Sequence, residues 1–146
     1  MGMMINKDIY QLIADKCTGK PNETGGILGG SVNIITEFEF DEGTALSSAW
    51  HYYPDVEKLN SCIKDWQNKN IHFHGIVHSH FKETRRLSSG DIQYINEIMQ
   101  VMPEHVTSLY FPIVLPQKEI VFFRATRIEG KVNIVADDIK IIEEGE

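Results

Sequence analysis

The stretch Gly75–Asp91 reads GIVHSHFKETRRLSSGD and joins an apolar run, a polar loop and the start of a helical pattern. Residues Ile71–Ser79 are typical of a buried strand, and because side chains alternate along a strand, His78 and His80 would share one face. Ser88 can cap the following helix, with Asp91 in its first turn. Two imidazoles and a carboxylate are a typical ligand set of a hydrolytic zinc site that keeps its fourth position for water.

The same residues also have a simpler interpretation. A His-x-His pair alone is a weak signal, and Ser88 followed by Asp91 is a capping box. The conjunction favours a metal, because a strand, a short loop and a helix bring three ligands together from rigid elements. In this interpretation Asp91 serves the metal instead of the backbone, while Ser88 keeps its capping role.

Two further histidines, His72 and His74, precede this pair in the same strand. Strict alternation would place all four on one face, with Ile71, Phe73 and Val77 on the other. His74 would lie roughly 13 Å upstream of His78. We therefore expect His72 and His74 to be surface or supporting histidines and not metal ligands.

Along the rest of the chain, hydrophobic periodicity and turn residues predict three helices and six strands in total. The helices are Asn6–Lys16, Pro54–Lys69 (with Val56, Leu59, Cys62, Ile63 and Trp66 inward) and Ser88 to about Met102 (with Ile92, Ile95, Ile98 and Met99 inward). The strands are Gly25–Gly29, Asn33–Phe40, Ile71–Ser79, Thr107–Leu115, Glu119–Ile128 and Val132–Ile139, with turns at Gly19–Asn22, Gly30-Ser31 and Glu129-Gly130. This order predicts an α/β fold with a mixed, largely antiparallel sheet flanked by helices.

Composition restricts the classes of function. The 146 residues are 42% hydrophobic and 24% charged, which predicts one domain spanning 1–146. The net charge of −7 argues against non-specific nucleic-acid binding. No apolar run at the start of the sequence resembles a signal peptide, and no apolar run elsewhere approaches the ~20 residues of a membrane span. Cys17 and Cys62 suggest no disulfide framework. We expect a cytoplasmic protein with no membrane partner; its oligomeric state is left open.

A hydrolytic zinc site also needs a base to accept the proton of the bound water. Glu23 is a candidate, in the run PNETGGILGG at 21–30, whose glycines let another backbone or a substrate approach closely. The run lacks the Gly-Lys-Ser/Thr ending of a phosphate loop. On chemistry alone, four other carboxylates compete for this role: Glu37, Glu39, Glu42 and Glu83.

Taken together, Glu23 shortly before Gly-Gly-x-Leu-Gly and the spacing His-Ser-His, seven residues, Ser-x-x-Asp resemble the JAMM metalloproteases, the catalytic MPN or JAB domains. The 21–30 strand, the helix Pro54–Lys69 with Trp66 and the GIVHSH strand follow in the family's order, so the likeness covers nearly the whole chain. The resemblance implies a curved mixed sheet with cytidine-deaminase-like architecture. It also implies one zinc ion per chain held by His78, His80 and Asp91, with Glu23 as the base and Ser88 stabilising the oxyanion.

The implied activity is hydrolysis of a peptide or isopeptide bond after the C-terminal tail of a ubiquitin-like or sulfur-carrier protein, in the manner of a deubiquitinase. The chain between Asp91 and Val106 is short, which favours a minimal, prokaryotic-type member. The alternative is a catalytically silent MPN scaffold in a complex. Such domains typically lose ligands, whereas all five motif positions are present here.

The loop between the ligands departs from the family pattern. Prokaryotic members often have proline directly after His-x-His and just before the serine, where this chain has Phe81 and Leu87. The loop also carries Lys82, Arg85 and Arg86. These cations are candidates for binding an acidic or carboxylate-bearing partner, and the competing interpretation is a solvated basic loop.

Overall fold

The computed structural model describes residues 2–19, 22–48, 51–80 and 82–143. Within them the chain forms three helices and ten strands. The helices are α1 (Lys7–Lys16), α2 (Val56–Asn68) and α3 (Ser89–Val101). The strands are β1 (Met4–Asn6), β2 (Gly25–Ser31), β3 (Ile34–Asp41), β4 (His72–Ser79), β5 (Ser108–Tyr110), β6 (Ile113–Val114), β7 (Ile120–Val121), β8 (Phe123–Ile128), β9 (Lys131–Ala136) and β10 (Lys140–Ile142).

One curled, mixed sheet contains all these strands, in the order β10-β1-β3-β2-β4-β5-β8-β9, with β6 and β7 continuing beside the end of β4. The β2–β3, β2–β4, β5–β8, β6–β7 and β8–β9 pairs are antiparallel. The β1 pairs, β4–β5 and β4–β6 are parallel. The predicted mixed, largely antiparallel sheet flanked by helices is therefore confirmed.

Two hydrophobic clusters cover the faces of the sheet. Consecutive strand residues enter opposite clusters: Leu28 and Val77 pack with α1, whereas Ile27 and Ile76 pack with α2 and α3. We call these the α1 cluster and the α2–α3 cluster. Each fully buried aliphatic side chain contributes about 1.5–3 kcal/mol relative to exposure, so the alternation fixes which face of each strand meets which helix.

The predicted helices are confirmed, with two errors in their inward faces. Leu59, Trp66, Ile95 and Met99 are buried as expected, but Val56 is 60% exposed and Ile92 is 43% exposed. Both lie in the first turn of their helix. No helix in the described residues is long and apolar enough to cross a membrane.

The hairpin between β2 and β3 turns two residues later than predicted. Gly30 and Ser31 belong to β2 opposite Ile35 and Ile34, and the turn falls at 32–33. A Cβ at Gly30 would lie 2.0 Å from the Ile34 carbonyl oxygen, so this glycine serves strand approach and not the turn. The predicted Glu129-Gly130 hairpin is confirmed, and both residues have the positive φ that a tight two-residue turn favours.

Two predicted long strands are each divided. Thr107–Leu115 becomes β5 and β6, interrupted around Pro112, and Glu119–Ile128 becomes β7 and β8. Proline has no N–H to donate to a ladder, which favours a break at that position. The short strands β1 and β10 were not predicted; they pair with each other. The turn expected at Gly19–Asn22 lies partly outside the described residues.

An irregularity in β4 changes the faces of its histidines. Leu28 of β2 pairs with Gly75 but Gly29 pairs with Phe73, so His74 is an extra residue in β4. Phe73 and Ile76, three residues apart, consequently pack in the same α2–α3 cluster, whereas Val77 packs in the α1 cluster. We predicted one face for Ile71, Phe73 and Val77 and the opposite face for all four histidines. That prediction is wrong, because a bulge interrupts the alternation of side chains.

Candidate metal centre

His78, His80 and Asp91 converge at the end of β4 and the start of α3. The Nε2 atoms of the two histidines are 3.2 Å apart. Asp91 Oδ1 is 3.2 Å from His78 Nε2, and Asp91 Oδ2 is 3.1 Å from His80 Nε2. Zinc bonds of 2.0–2.2 Å in tetrahedral geometry place ligand atoms about 3.4 Å apart, so this donor set fits a zinc ion with one position left open.

Hydrogen bonds to Ser79 from the segments that flank β2 and α1, and one from His80 to β6, hold the two histidines in place. Ser79 is fully buried. Its N–H donates to Thr24 O (2.8 Å) and its hydroxyl donates to Thr18 O (2.9 Å) while accepting from Thr24 N (2.9 Å). The N–H of His80 donates to Val114 O in β6 (2.9 Å). Because Ser79 is anchored on one face, both imidazoles are directed to the other.

Asp91 takes part in the helix cap and also faces the two histidines, although the sequence analysis treated capping and metal binding as alternatives. Ser88 Oγ accepts from Asp91 N (3.0 Å), and Asp91 Oδ2 accepts from Ser88 N (2.9 Å), which completes a capping box. The same carboxylate faces both imidazoles. The expectation that Asp91 serves a metal instead of the backbone is therefore wrong, since a carboxylate has enough lone-pair sites to accept from both.

Electrostatics in the cluster favour a cation. Burial acts to raise the pKa of Asp91, but hydrogen bonds with His78 and His80 outweigh it and hold that pKa well below its ordinary range. Burial acts to lower the pKa of His80, but hydrogen bonds with Asp91 and Thr84 O, and the charges of Asp91 and Glu23, leave it raised. The site thus keeps Asp91 ionised and stabilises positive charge beside it.

The hydrogen bond at the other nitrogen of His80 orients that ring. Its Nδ1 lies 3.2 Å from Thr84 O. A carbonyl oxygen only accepts, so Nδ1 carries the proton, which leaves the Nε2 lone pair free for a metal in the neutral ring.

Glu23 lines a cleft of about 340 Å³ together with His80, Ser88 and Asp91. Its side chain is buried (6% exposed), and its N–H donates to Ser48 O (2.8 Å). None of the four competing carboxylates lines this cleft in the described part of the chain; Glu42 and Glu83 are exposed. The geometry therefore brings Glu23, and not its competitors, into one cleft with two of the candidate ligands, His80 and Asp91.

The glycines after Glu23 serve the sheet. A Cβ at Gly25 would lie 2.2 Å from Val77 O in β4, and one at Gly26 would lie 2.2 Å from Glu39 O in β3. The glycines were expected to let either another backbone or a substrate approach closely, and the structure supports approach of the neighbouring backbone. Glu23 is consequently held just before a strand that runs beside the histidines.

The three cations of the loop are divided. Lys82 and Arg86 line the cleft with Glu23, whereas Arg85 forms an ion pair with Glu119 and borders a neighbouring cavity. Phe81, which stands at one of the family's proline positions, lies outside the described residues.

Some residues around the site were missed by the sequence analysis. Thr84 and Ser48 act through their carbonyl oxygens, which no residue pattern reveals. His51 lines a second small cavity with His78 and Asp91 and comes from an irregular segment. Its distance in sequence from the motif left no signal that could have identified it.

Comparisons with known proteins agree with this geometry. Residues 7–126 match the family model described as prokaryotic homologs of the JAB domain. A solved protein of Desulfitobacterium hafniense is similar over 97% of this chain and 94% of its own, with 20% identity and a TM-score of 0.69. A JAB1/MPN domain protein of Archaeoglobus fulgidus is similar over 97% and 98%, with 16% identity and a TM-score of 0.56.

A further similar structure is described as JAMM, a metalloprotease-like zinc site in the proteasome and signalosome. It is 16% identical, covers 98% of this chain and all of its own, and has a TM-score of 0.56. At these identities the solved structures show a shared fold alone. No curated protein matches the chain. Because the family model spans most of the sequence, the chain belongs to the family of prokaryotic homologs of the JAB domain.

Proposed function

We propose that the protein is a zinc-dependent peptidase or isopeptidase that hydrolyses an amide bond at the C-terminal tail of a ubiquitin-like or sulfur-carrier protein. The observation that carries the proposal is the meeting of His78, His80 and Asp91, of which His80 and Asp91 share a cleft with the buried Glu23. Family membership supports a metalloprotease-type site of this kind.

In this proposal His78, His80 and Asp91 hold the zinc. Zinc in such a site supplies a Lewis acid and lowers the pKa of water to about 7. The imidazole of His80 is oriented by Thr84 O, and the carboxylate of Asp91 by Ser88 N. These contacts restrict rotation of two ligands before a metal arrives.

Glu23 is the proposed base. Its carboxylate accepts the proton of the attacking water and then passes that proton to the leaving amine, so the group is restored after each cycle. Because Glu23 is buried in the wall of the cleft, it is partly screened from bulk solvent.

Ser88 is proposed to stabilise the oxyanion. Its Oγ accepts from Asp91 N, which leaves its hydroxyl proton free to donate to the substrate oxygen. Loss of one such donor costs ~3 kcal/mol of transition-state stabilisation in other hydrolases. Capping and catalysis use different sites of this hydroxyl and are compatible.

Lys82 and Arg86 are proposed to contact the substrate. They are exposed and lie on the same cleft as Glu23 and Ser88 in a chain whose net charge is −7. Two cations on the cleft wall favour a substrate with a carboxylate near the scissile bond. This supports an acidic or carboxylate-bearing partner for the cleft, with Arg85 placed apart from it.

The test is cleavage of linear fusions and isopeptide conjugates of ubiquitin-like proteins, with and without a chelator. We expect Glu23→Gln to lower kcat by at least ~100-fold, the contribution of a general base, while one equivalent of zinc stays bound. The matched control is Glu83→Gln, an exposed loop carboxylate, which should keep wild-type kcat.

Wild-type rates in Glu23→Gln would refute the assignment of the base. A protein that retains no zinc and cleaves none of these substrates would refute the enzyme and favour a silent MPN scaffold.

A further inference from the structure

The loop of residues 82–87, which we call the ligand loop, joins His80 to the cap of α3 and has little burial of its own. Residues 82–86 are exposed, and Leu87 packs partly against the α2–α3 cluster. Leucine at this position also lacks the fixed φ that a proline would impose. Specific contacts must therefore hold the loop carbonyl that orients His80.

Two contacts in the middle of the ligand loop meet this need. Thr84 O lies 3.2 Å from His80 Nδ1, and the next residue, Arg85, forms an ion pair with Glu119. Since Thr84 and Arg85 are adjacent, a side chain fixed at Arg85 restricts the position of the Thr84 carbonyl.

Glu119 in turn is fixed relative to His80 by main-chain hydrogen bonds. The turn before β7 is closed by Leu115 N to Glu119 O (2.8 Å) and Lys118 N to Leu115 O (2.8 Å). The turn continues directly from β6, where Val114 O accepts from His80 N (2.9 Å). The ion pair thus connects the ligand loop to the turn that follows β6, the strand that already accepts a hydrogen bond from His80.

We propose that Arg85 and Glu119 form a latch that positions His80 for metal binding through the Thr84 carbonyl. Arg85 is then a positioning residue and not a substrate contact. The proposal rests on the proposed zinc site. Partners of a metal-bound histidine influence affinity because they fix its tautomer and ring orientation.

The expected effect is limited by exposure of the pair. The side chains of Arg85 and Glu119 are 56% and 42% exposed, so solvent screens their attraction. We expect loss of the latch to weaken zinc binding about two- to five-fold, the range that an exposed ion pair supports. High salt should reduce the difference from wild type.

The experiment compares Arg85→Glu, Glu119→Arg and the double exchange, with zinc affinity measured by chelator competition on the full chain. Each single variant should bind zinc about two- to five-fold more weakly, and the double exchange should recover most of the loss. Arg85→Glu is informative because it adds negative charge near the site, which through simple attraction would strengthen zinc binding. The double exchange has the net charge of wild type and is the matched control.

Thermal melting of each variant, followed by circular dichroism, separates a folding defect from a local one. Arg85→Gln provides a milder variant if charge reversal destabilises the protein, with the same expected direction. Zinc affinities that equal wild type in both single variants, or losses that simply add in the double exchange, would overturn the latch while leaving the proposed function intact. A wild-type protein without affinity for zinc would overturn both.

Discussion

Two His-x-His pairs lie along β4 and its carboxyl end, His72/His74 within the strand and His78/His80 where it ends, and they differ in ring geometry and in polar partners. The rings of His72 and His74 lie stacked with centroids 6.3 Å apart, and His74 Nε2 is 2.6 Å from Ser31 O. The rings of His78 and His80 are tilted with centroids 5.0 Å apart, and both face Asp91. One pair is a structural contact of the strand, and the other forms the candidate metal centre.

The difference shows that position relative to the bulge, and not residue type, decides which pair can bind a metal. The extra residue at His74 reverses the faces of β4, so His72 and His74 lie opposite the face that α3 approaches. Gly75 permits this path, because its φ is 150° and a Cβ there would lie 1.7 Å from Tyr110 O.

The largest expected effect comes from adding a side chain at Gly75, next to the bulge. Gly75→Ala places a methyl group against the Tyr110 backbone and strains φ, so we expect a loss of at least ~3 kcal/mol in unfolding free energy, or no folded protein. Urea denaturation and soluble yield measure this. The matched control is Gly90→Ala in α3, where a Cβ meets its nearest neighbour at an ordinary 3.7 Å and stability should not fall. Equal stability of both variants would contradict the role of Gly75.

The next effect separates the two pairs directly by metal content. His78→Gln removes a proposed ligand, and we expect zinc affinity to fall more than ~100-fold, since loss of a supporting partner alone costs 10–100-fold. His72→Gln makes the same chemical change at the exposed member of the other pair and should retain one equivalent of zinc. Zinc content after dialysis, measured by atomic absorption, checks both. Similar losses in the two variants would show that the pairs are not distinct.

The smallest effect concerns pH. Burial lowers the pKa of His74 below its ordinary 6.5, despite the hydrogen bond with Ser31 O. His74 therefore binds a proton more readily in the unfolded chain than in the folded protein. The contribution of neutral His74 to stability is complete above pH 6.5 and is lost as pH falls toward the folded-state pKa of His74. Between pH 7.5 and 5, the unfolding free energy of His74→Gln should fall less than that of wild type. At pH 7.5 the variant should be about 1 kcal/mol less stable than wild type, because the hydrogen bond to Ser31 O is lost.

Urea unfolding at both pH values, with chelator present, measures this difference. His72→Gln is the control and should follow the wild-type decline. A His74→Gln protein whose stability falls as steeply as wild type would show that another group carries the pH dependence.

Much of the fold was accessible from the sequence because its signals are local. The apolar spacing of Leu59 and Trp66 predicted α2, and Glu129-Gly130 predicted the β8–β9 hairpin. The errors arose where a neighbour overrides the local pattern. Gly30 was predicted to lie in a turn, but the close approach of β3 accounts for it. Ile92 was predicted to be buried, but it is exposed in the first turn of α3.

The same division holds for the candidate site. The ligand set of His78, His80 and Asp91 was predicted from spacing and chemistry, and the structure brings the three together. Choosing Glu23 among five carboxylates required either family resemblance or the cleft itself. The separation of Arg85 from Lys82 and Arg86 could not be predicted, since it depends on Glu119 from a distant turn.

The helices, most of the strands and the donor atoms of the candidate site follow from the local sequence, because periodicity, capping and ligand chemistry are encoded within a few residues. Long-range contacts determine which histidine pair faces α3, that Asp91 both caps the helix and faces the histidines, and that the ligand loop pairs with Glu119. These outcomes depend on strand register and on contacts between residues far apart in the chain, where one extra residue in β4 reverses the face of every side chain beyond it.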